Sequence, residues 1–412
     1  MNISVIYWKR FKLIQFHVFL KFITIQIKLI SYTKSRSIYL ESVSFLMNAF
    51  KGGGPRNVYI LSELLSKKGF ESFIMNYNDV LGNSGGIKEE NQFSVKVIKN
   101  KGLSNGLNKV ASIADDVRLY NSPLFFMNQY LLKPMVLKKN RSMDIYISTF
   151  WQSVVPADRY TKSINAKHIF FTQADERTFG RGKVYTKICE KAYKKNIVKV
   201  TQSLWLKKFL DETYGGYNEY IGIGIDHNVF KPSGAQHENI IFSIARPESF
   251  KGFDVFLKTC HIISKSSKQF KIMIAGDVNL INRKMTELGF NFNYEATGWI
   301  YDDSKLAEIY SKSIFVNTGL EEALPMPPLE AMACGGAVVM TDMPGAKEYA
   351  MDGVNCLLCQ RENSKDFANK ILKLLDDEDL RNTLSLNGIK TSSNYTWDST
   401  AQKLVNVIRR SD

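Results

Sequence analysis

From about residue 41 onward, stretches that suit buried strands alternate with stretches that suit amphipathic helices, and no other feature restricts the fold as much. Val43–Phe50 reads as a buried strand, followed by Lys51-Gly-Gly-Gly-Pro55 and a helix over Asn57–Lys67 with Val58, Leu61, Leu64 and Leu65 apolar. Gly69 ends that helix and Ser72–Met75 opens the next strand, a βαβ beginning. Asp144–Phe150, His168–Thr172 and Ile197–Thr201 read as further strands, and Trp205–Tyr214 as a helix stopped by Gly215-Gly216. Between about 76 and 143 the pattern is weaker and suits longer connections. Lys231-Pro-Ser-Gly-Ala-Gln-His-Glu238 is polar and rich in turn formers, as interdomain linkers are.

After that linker the alternation resumes more cleanly. Asn239–Ala245 and Phe270–Ala275 read as strands around a helix over Phe253–Ser264. A helix over Lys305–Lys312 has Asp302, Asp303 and Ser304 as capping candidates, and Ile314–Asn317 and Ala337–Thr341 are strands with a helix between them. Strands separated by helices pair in parallel and need both sheet faces covered. The expected fold is therefore α/β, with two Rossmann-like doubly wound domains facing a cleft. The predicted divisions are a basic aromatic N-terminal extension over 1–39, an N-terminal domain over 40–231, a C-terminal domain over 232–395 and a last helix over 396–412 that crosses back. Ligands in such sheets collect at the carboxyl ends of the strands.

Composition excludes several other classes. With 412 residues, 44% hydrophobic and 23% charged, the chain can bury two ordinary cores. Its five cysteines are few and scattered, and Cys356-Leu-Leu-Cys359 sits in a short apolar run with no second ligand pair, which favours a buried strand over a redox or zinc site. The net charge of +15 is partly carried by Lys9, Arg10, Lys12, Lys21, Lys28, Lys34 and Arg36, ahead of the first acid, Glu41. The apolar runs between them fall short of the roughly 18–20 residues that cross a bilayer, and no cleavage signal follows. Two readings of residues 1–39 stand side by side: an interfacial element on an anionic membrane, or an extension upstream of the folded domain. No nucleic-acid-binding motif accompanies the charge, so nucleic acid is not an expected partner.

The chemistry concentrates in Asn317-Thr-Gly-Leu-Glu-Glu322-Ala-Leu-Pro-Met-Pro-Pro-Leu-Glu330-Ala-Met-Ala-Cys-Gly-Gly336. Pro327 and Pro328 suit the first turn of a helix running to Cys334, which places Glu322 on the loop after a strand and Glu330 in the first turn. Carboxylates there could accept hydroxyls of a sugar or ribose, with backbone N–H groups left for phosphate. The spacing alone favours a dipole-complementing Glu330 and a solvated Glu322 over a binding pair.

The whole string resembles the E-x7-E signature of glycosyltransferase family 4, and Pro327-Pro-Leu-Glu-Ala-Met-Ala-Cys-Gly335 matches without a gap. Ser243-Ile-Ala-Arg246-Pro-Glu-Ser-Phe-Lys251-Gly resembles that family's Arg…Lys-Gly turn, whose cations hold the nucleotide diphosphate. Ile223-Gly-Ile-Asp226…Phe230-Lys-Pro232 resembles its interdomain stretch, Thr297-Gly298-Trp-Ile the position near the base, and Gly52-Gly53-Gly54 its glycine-rich first loop. The resemblance implies a GT-B fold and a retaining sugar transfer from a nucleoside-diphosphate-sugar to an acceptor hydroxyl, without metal or other cofactor. It implies that Arg246 and Lys251 stabilise the leaving diphosphate, Glu330 holds the ribose and Glu322 positions the donor sugar. Gly298, Leu324 and Met326 would complete the donor site, and Gly52–Gly54 with Trp151 the acceptor and phosphate side. Glu348, in the segment after that helix, reads as structural. Asp377-Glu-Asp379, the one D-x-D, reads as surface charge on a helix.

Two departures matter. Ser148-Thr-Phe-Trp151-Gln-Ser153 stands where members commonly place a His, and with Phe171-Thr-Gln-Ala-Asp175-Glu it is loosely similar to transferases of rhamnose polymers. Ala323-Leu-Pro325-Met326 replaces Gly-Phe-Gly-Leu, and Pro325 has no N–H to donate. The implied partners are a nucleotide-sugar and a glycan or lipid-linked acceptor, at a cytoplasmic location with the inner membrane face as a possible surface. The alternative is a pseudo-transferase subunit that binds nucleotide or glycan without turnover.

Overall fold

The computed structural model describes residues 40–47, 53–76, 96–98, 133–179, 182–234 and 237–410. The chain divides into two units, Met1–Glu41 and Ser42–Asp412. The predicted extension over 1–39, Gly52, and most of the stretch from 76 to 143 lie outside the described residues.

The second unit holds two parallel sheets, and the α/β architecture of two doubly wound layers expected from the alternation is observed. In the first sheet β1 (Ser42–Met47), β2 (Glu71–Asn76), β3 (Lys96–Ile98), β4 (Ile145–Ser148), β5 (Lys167–Thr172), β6 (Val198–Thr201) and β7 (Asn218–Tyr220) run in the order β3-β2-β1-β4-β5-β6-β7. The second has β8 (Ile240–Ala245), β9 (Lys271–Gly276), β10 (Glu295–Gly298), β11 (Ser313–Asn317), β12 (Ala337–Thr341) and β13 (Leu357–Cys359) in the order β10-β9-β8-β11-β12-β13. Inner strands are buried on both faces: SVSFLM in β1 and AVVMT in β12 are buried throughout, as strands sandwiched between helices require. Strand order reverses beside β1 in the first sheet and beside β8 in the second. Chains leaving the two strands on either side of such a point diverge and open a crevice.

Several helix starts follow from local chemistry. The Ser203 hydroxyl accepts from Leu206 N ahead of the Leu204–Thr213 helix, and Asp302 accepts from Ser304 N and Lys305 N ahead of Asp303–Lys312. Asp377, read from sequence as surface charge, caps the Glu378–Ser392 helix through Leu380 N. The first helix departs from expectation: it begins at Gly53, not Asn57, so Gly53 and Gly54 form its first turn instead of a loop. Pro55 in that turn removes an N–H that would have no helical partner, which offsets the glycines' weak helix preference.

The chain passes between the sheets twice, and the two passes touch. Ile225 N donates to Tyr395 O at 3.0 Å, and Ile225 bridges Thr396. Gly224 lies so close to this crossing that a Cβ there would run into the Trp397 backbone nitrogen. The Trp397–Arg410 helix then packs on the Gly53–Lys67 helix, with Lys68 Nζ 2.8 Å from Asp398 Oδ1 and Lys167 Nζ donating to Ile408 O at 3.2 Å. One continuous apolar cluster includes Val43, Ile147 and Val200 of the first sheet with Phe242, Phe315 and Met340 of the second.

All five cysteines are buried free thiols, and burial pushes Cys356 up to about 12, which suits packing and not redox chemistry. Among the described residues no helix is long and apolar enough to cross a membrane. Gly224→Ala is expected to lower stability by about 2–3 kcal/mol through this backbone collision, read as a lower urea midpoint.

Candidate functional site

The site is built where the second sheet reverses order. β8 leads into a 3-10 turn, Ser249–Lys251, and then Gly252, while β11 leads into the loop that carries Glu322. The two connections are sewn together. Leu320 N donates to Phe250 O at 2.6 Å, and Thr318 Oγ1 donates to Gly252 O at 2.9 Å. Gly252 has φ 64° and a Cβ on it would strike the Thr318 carbonyl oxygen, so only glycine permits both the turn and the approach. As a result Lys251 Nζ lies 2.5 Å from Glu322 Oε2. The other oxygen, Glu322 Oε1, accepts from Asn317 Nδ2 at 3.3 Å. Tyr349 braces the far side of the loop by donating its hydroxyl to Pro325 O at 2.7 Å. The diphosphate cation and the sugar carboxylate expected from sequence are thus each other's partners.

The Met326–Ala333 helix starts one residue after Pro325, which makes Glu330 its fifth residue. This corrects the expected first-turn position, and it changes the chemistry of the helix end. With Pro327 and Pro328 in place, only Met326 and Leu329 of the first four residues carry an N–H, so the helix offers fewer phosphate donors than an ordinary N-terminus. Among the described residues none donates a hydrogen bond to the half-buried Glu330 carboxylate. Desolvation pushes its pKa from 4.5 up to about 7, while the charge of Arg56 pulls it down and that of Asp303 pushes it up. Arg56, on the Gly53–Lys67 helix, reaches across to form an ion pair with Asp303.

The remaining donor-side residues separate into two groups. Arg246 lies with its guanidinium carbon 5.2 Å from the centroid of the exposed Trp299, just after Gly298, which ends β10 at φ 71°. Arg246 thus lies against the residue that follows Gly298. Leu324, by contrast, is buried in the apolar cluster and Met326 packs on that cluster, so neither side chain is freely presented.

On the first sheet, the structure corrects the role given to Trp151. Its indole is 2% exposed, donates to the Tyr185 hydroxyl at 3.2 Å and meets that ring edge-on at 5.6 Å. A side chain so placed holds the Trp151–Ile164 helix to the core and cannot face an acceptor without unpacking. Its backbone N–H donates to Glu176 Oε2 at 2.8 Å, and burial drives the Glu176 carboxyl well above its ordinary range. Gly54 does face a polar group: a Cβ there would lie 3.5 Å from the Gln173 amide, whose Oε1 accepts from Asn57 Nδ2 at 3.1 Å. Glu348 takes a structural part, accepting from Leu204 N and from the Tyr220 hydroxyl, both at 2.7 Å, so that it ties the two halves together.

Sequence reasoning missed three features. Arg56 was passed over between the glycines and the apolar helix face, and Asp303 was read only as a cap, a part that Asp302 plays. Phe150, Phe179 and Phe250 form a stack across the halves, with centroids 6.3 and 6.2 Å apart. Phe150 and Phe250 lie within quoted motifs, but nothing local signals that Phe179 stacks between them. A cavity of about 590 Å³ lined by Tyr220, Glu348, Lys390, Tyr395 and Lys403 contains none of the expected site residues.

Comparison with known proteins gives a consistent fold and a partial family match. Residues 225–391 match the family described as glycosyl transferases group 1. An uncharacterised glycosyltransferase of Methanocaldococcus jannaschii is 27% identical over 198 residues, 48% of this chain and 54% of that protein. The N,N'-diacetylbacillosaminyl-diphospho-undecaprenol alpha-1,3-N-acetylgalactosaminyltransferase of Campylobacter jejuni is 30% identical over 172 residues, 42% of this chain and 44% of that protein. The matches span about half the length of these curated relatives. The structure of Anabaena HepE in complex with UDP and glucose superposes with a TM-score of 0.70 at 16% identity, covering 90% of this chain and 100% of that one.

The raised Glu330 pKa has a sign that stability can test. Between 4.5 and about 7 the folded chain holds a proton that the unfolded chain has lost, so the stability associated with Glu330 is full below 4.5 and is lost as pH rises through 7. Glu330→Gln is expected to be more stable than wild type above pH 7 by about 1–3 kcal/mol, with the gap closing towards pH 4.5, as read from urea unfolding at each pH.

Proposed function

We propose that this chain is a retaining glycosyltransferase of the family 4 type, moving a sugar from a nucleoside-diphosphate-sugar to an acceptor hydroxyl in cell-surface glycan or glycolipid synthesis. The observation that carries this reading is the convergence of Lys251, Glu322 and the Glu330 helix at the order reversal of the second sheet. The match of residues 225–391 to glycosyl transferases group 1 supports it. So does the resemblance in fold to a protein solved with UDP and glucose.

In this reading the leaving diphosphate draws Lys251 from Glu322, and Arg246 supplies the second cation. A pyrophosphate gains negative charge as the glycosidic bond breaks, so cations already aimed at that position stabilise the transition state more than the ground state. Glu322, released from Lys251, then accepts a donor-sugar hydroxyl, and the Glu330 carboxylate accepts those of the ribose. This reading assigns no side chain the part of nucleophile. The leaving phosphate itself would therefore take the acceptor proton on the same face as the departing bond, which retains configuration. Closure around the donor keeps water from competing with the acceptor.

The Campylobacter relative is named for a diphospho-undecaprenol-linked substrate. A lipid-linked acceptor is the matching proposal for this chain, with work at the inner face of the cell membrane and the basic segment 1–39 as its contact.

The test is a screen of UDP-, GDP- and dTDP-sugars with a lipid-linked acceptor extract, reading nucleoside-diphosphate release and anomeric configuration. Lys251→Ala is expected to lose about 10²–10³ in kcat, and Glu330→Gln about tenfold in nucleotide affinity. Wild-type values in both variants would sink the site. Nucleotide binding with no turnover under any acceptor would favour the pseudo-transferase. Deleting residues 2–39 is expected to lower partitioning onto anionic vesicles; unchanged partitioning would remove the membrane contact.

A further inference from the structure

We propose that Arg56, supplied by the first half of the chain and held by its ion pair with Asp303 of the second half, is a positioning residue for the donor site, its charge keeping the Glu330 carboxylate ready for a nucleotide. This rests on the reading of Glu330 as a ribose acceptor. It adds a residue that neither the motif nor the family match, which starts at residue 225, contains.

Three observations meet at one place. Arg56 and Asp303 are 247 residues apart and joined by an ion pair, with both side chains about one-third exposed, at 33% and 35%. Asp303 opens the helix Asp303–Lys312, and that helix packs against Met326–Ala333, which carries Glu330. The Glu330 carboxylate accepts no hydrogen bond from a described residue. Beside it the Tyr310 hydroxyl is fully buried and has no partner among the described residues, and the Glu330 charge bears on it. A half-buried carboxylate without protein donors is less stable as an anion than one in water, and a nearby cation offsets part of that cost.

The charged and titratable groups that face Glu330 are few. They are Arg56 from the first helix, Asp303 and Tyr310 from the helix packed beside it, and Cys334 at the end of its own helix. The Glu378–Ser392 helix packs on the same helix, but its Arg381 donates to Asn239 Oδ1 at 3.1 Å. β11 and β12, which flank it, carry no titratable side chain. Among the described residues Arg56 is the one cation in the set, and it comes from the other half of the chain. Desolvation is what carries the Glu330 carboxyl up towards neutral pH; the Arg56 charge opposes that rise and the Asp303 charge adds to it.

An ionised Glu330 can accept two ribose hydroxyls, whereas the protonated form loses an acceptor and presents a donor. Nucleotide capture is thereby tied to the presence of Arg56, and hence to the other half of the chain.

The experiment measures affinity for UDP, with GDP in parallel, from pH 5.5 to 9 in wild type, Arg56→Met, Arg56→Lys and Asp303→Asn. Ratios to wild type cancel the titration of the nucleotide's own phosphate. In the same variants, carbon-13 shifts of labelled glutamate carboxyls are followed without nucleotide, with Glu330→Gln giving the assignment. Arg56→Met is expected to raise the midpoint by about one pH unit, which weakens binding at pH 7 about fivefold and leaves it near wild type at pH 9. Arg56→Lys should keep the wild-type midpoint, and Asp303→Asn should lower it. A loss in Arg56→Met that is equal at every pH, or an unmoved Glu330 titration, would overturn the proposal. If neither nucleotide bound wild type while the carboxyl titration still moved as expected, the donor reading would fall and the coupling would stand.

Discussion

The contact on which the rest depends is the stitching of the β8 connection to the β11 connection. Leu320 N to Phe250 O and Thr318 Oγ1 to Gly252 O bind two loops that leave adjacent strands. Without them Lys251 and Glu322 would sit on separate flexible turns, and their ion pair would carry a large ordering cost. With them the pair is preformed, and a ligand that separates it meets two charges already in position. Gly252 makes the approach possible, because its left-handed backbone and missing Cβ leave room for the Thr318 carbonyl.

A second constraint is the contact between halves. Glu348, the Tyr395–Ile225 crossing, the Phe150–Phe179–Phe250 stack and the Arg56–Asp303 pair all join residues far apart in sequence. They differ in kind. The crossing and the shared apolar cluster are buried and packed, so they set the arrangement firmly. The Arg56–Asp303 pair is partly solvated and contributes little to stability by itself. In the proposed coupling, the Arg56 charge bears on the half-buried Glu330 carboxylate more than on the fold.

Much of the fold was legible, because period and burial coincide: parallel strands covered on both faces leave a nearly continuous apolar signature, and their helices show capping residues. Boundaries slipped where local rules compete. The Gly53–Pro55 segment reads as a loop by composition, yet packing of the helix behind it draws those residues into the first turn. Glu330 was placed in the first turn, and not just beyond it, because two prolines signal a helix start without marking which residue begins it. Trp151 was misread because an aromatic after a strand looks the same whether it lines a cleft or a core; only the Tyr185 and Glu176 contacts decide.

The sequence by itself determined the doubly wound alternation and the identity of the chemical groups near the second sheet, since both are written in residues a few positions apart. Only the tertiary structure decided which group each one faces. Lys251 meets Glu322 across 71 residues and Arg56 meets Asp303 across 247, and no local period carries information over such distances. The charge on Glu330 belongs to the same class: its carboxylate is fixed by one codon, but its protonation near neutral pH is set by burial and by neighbours that folding alone brings together.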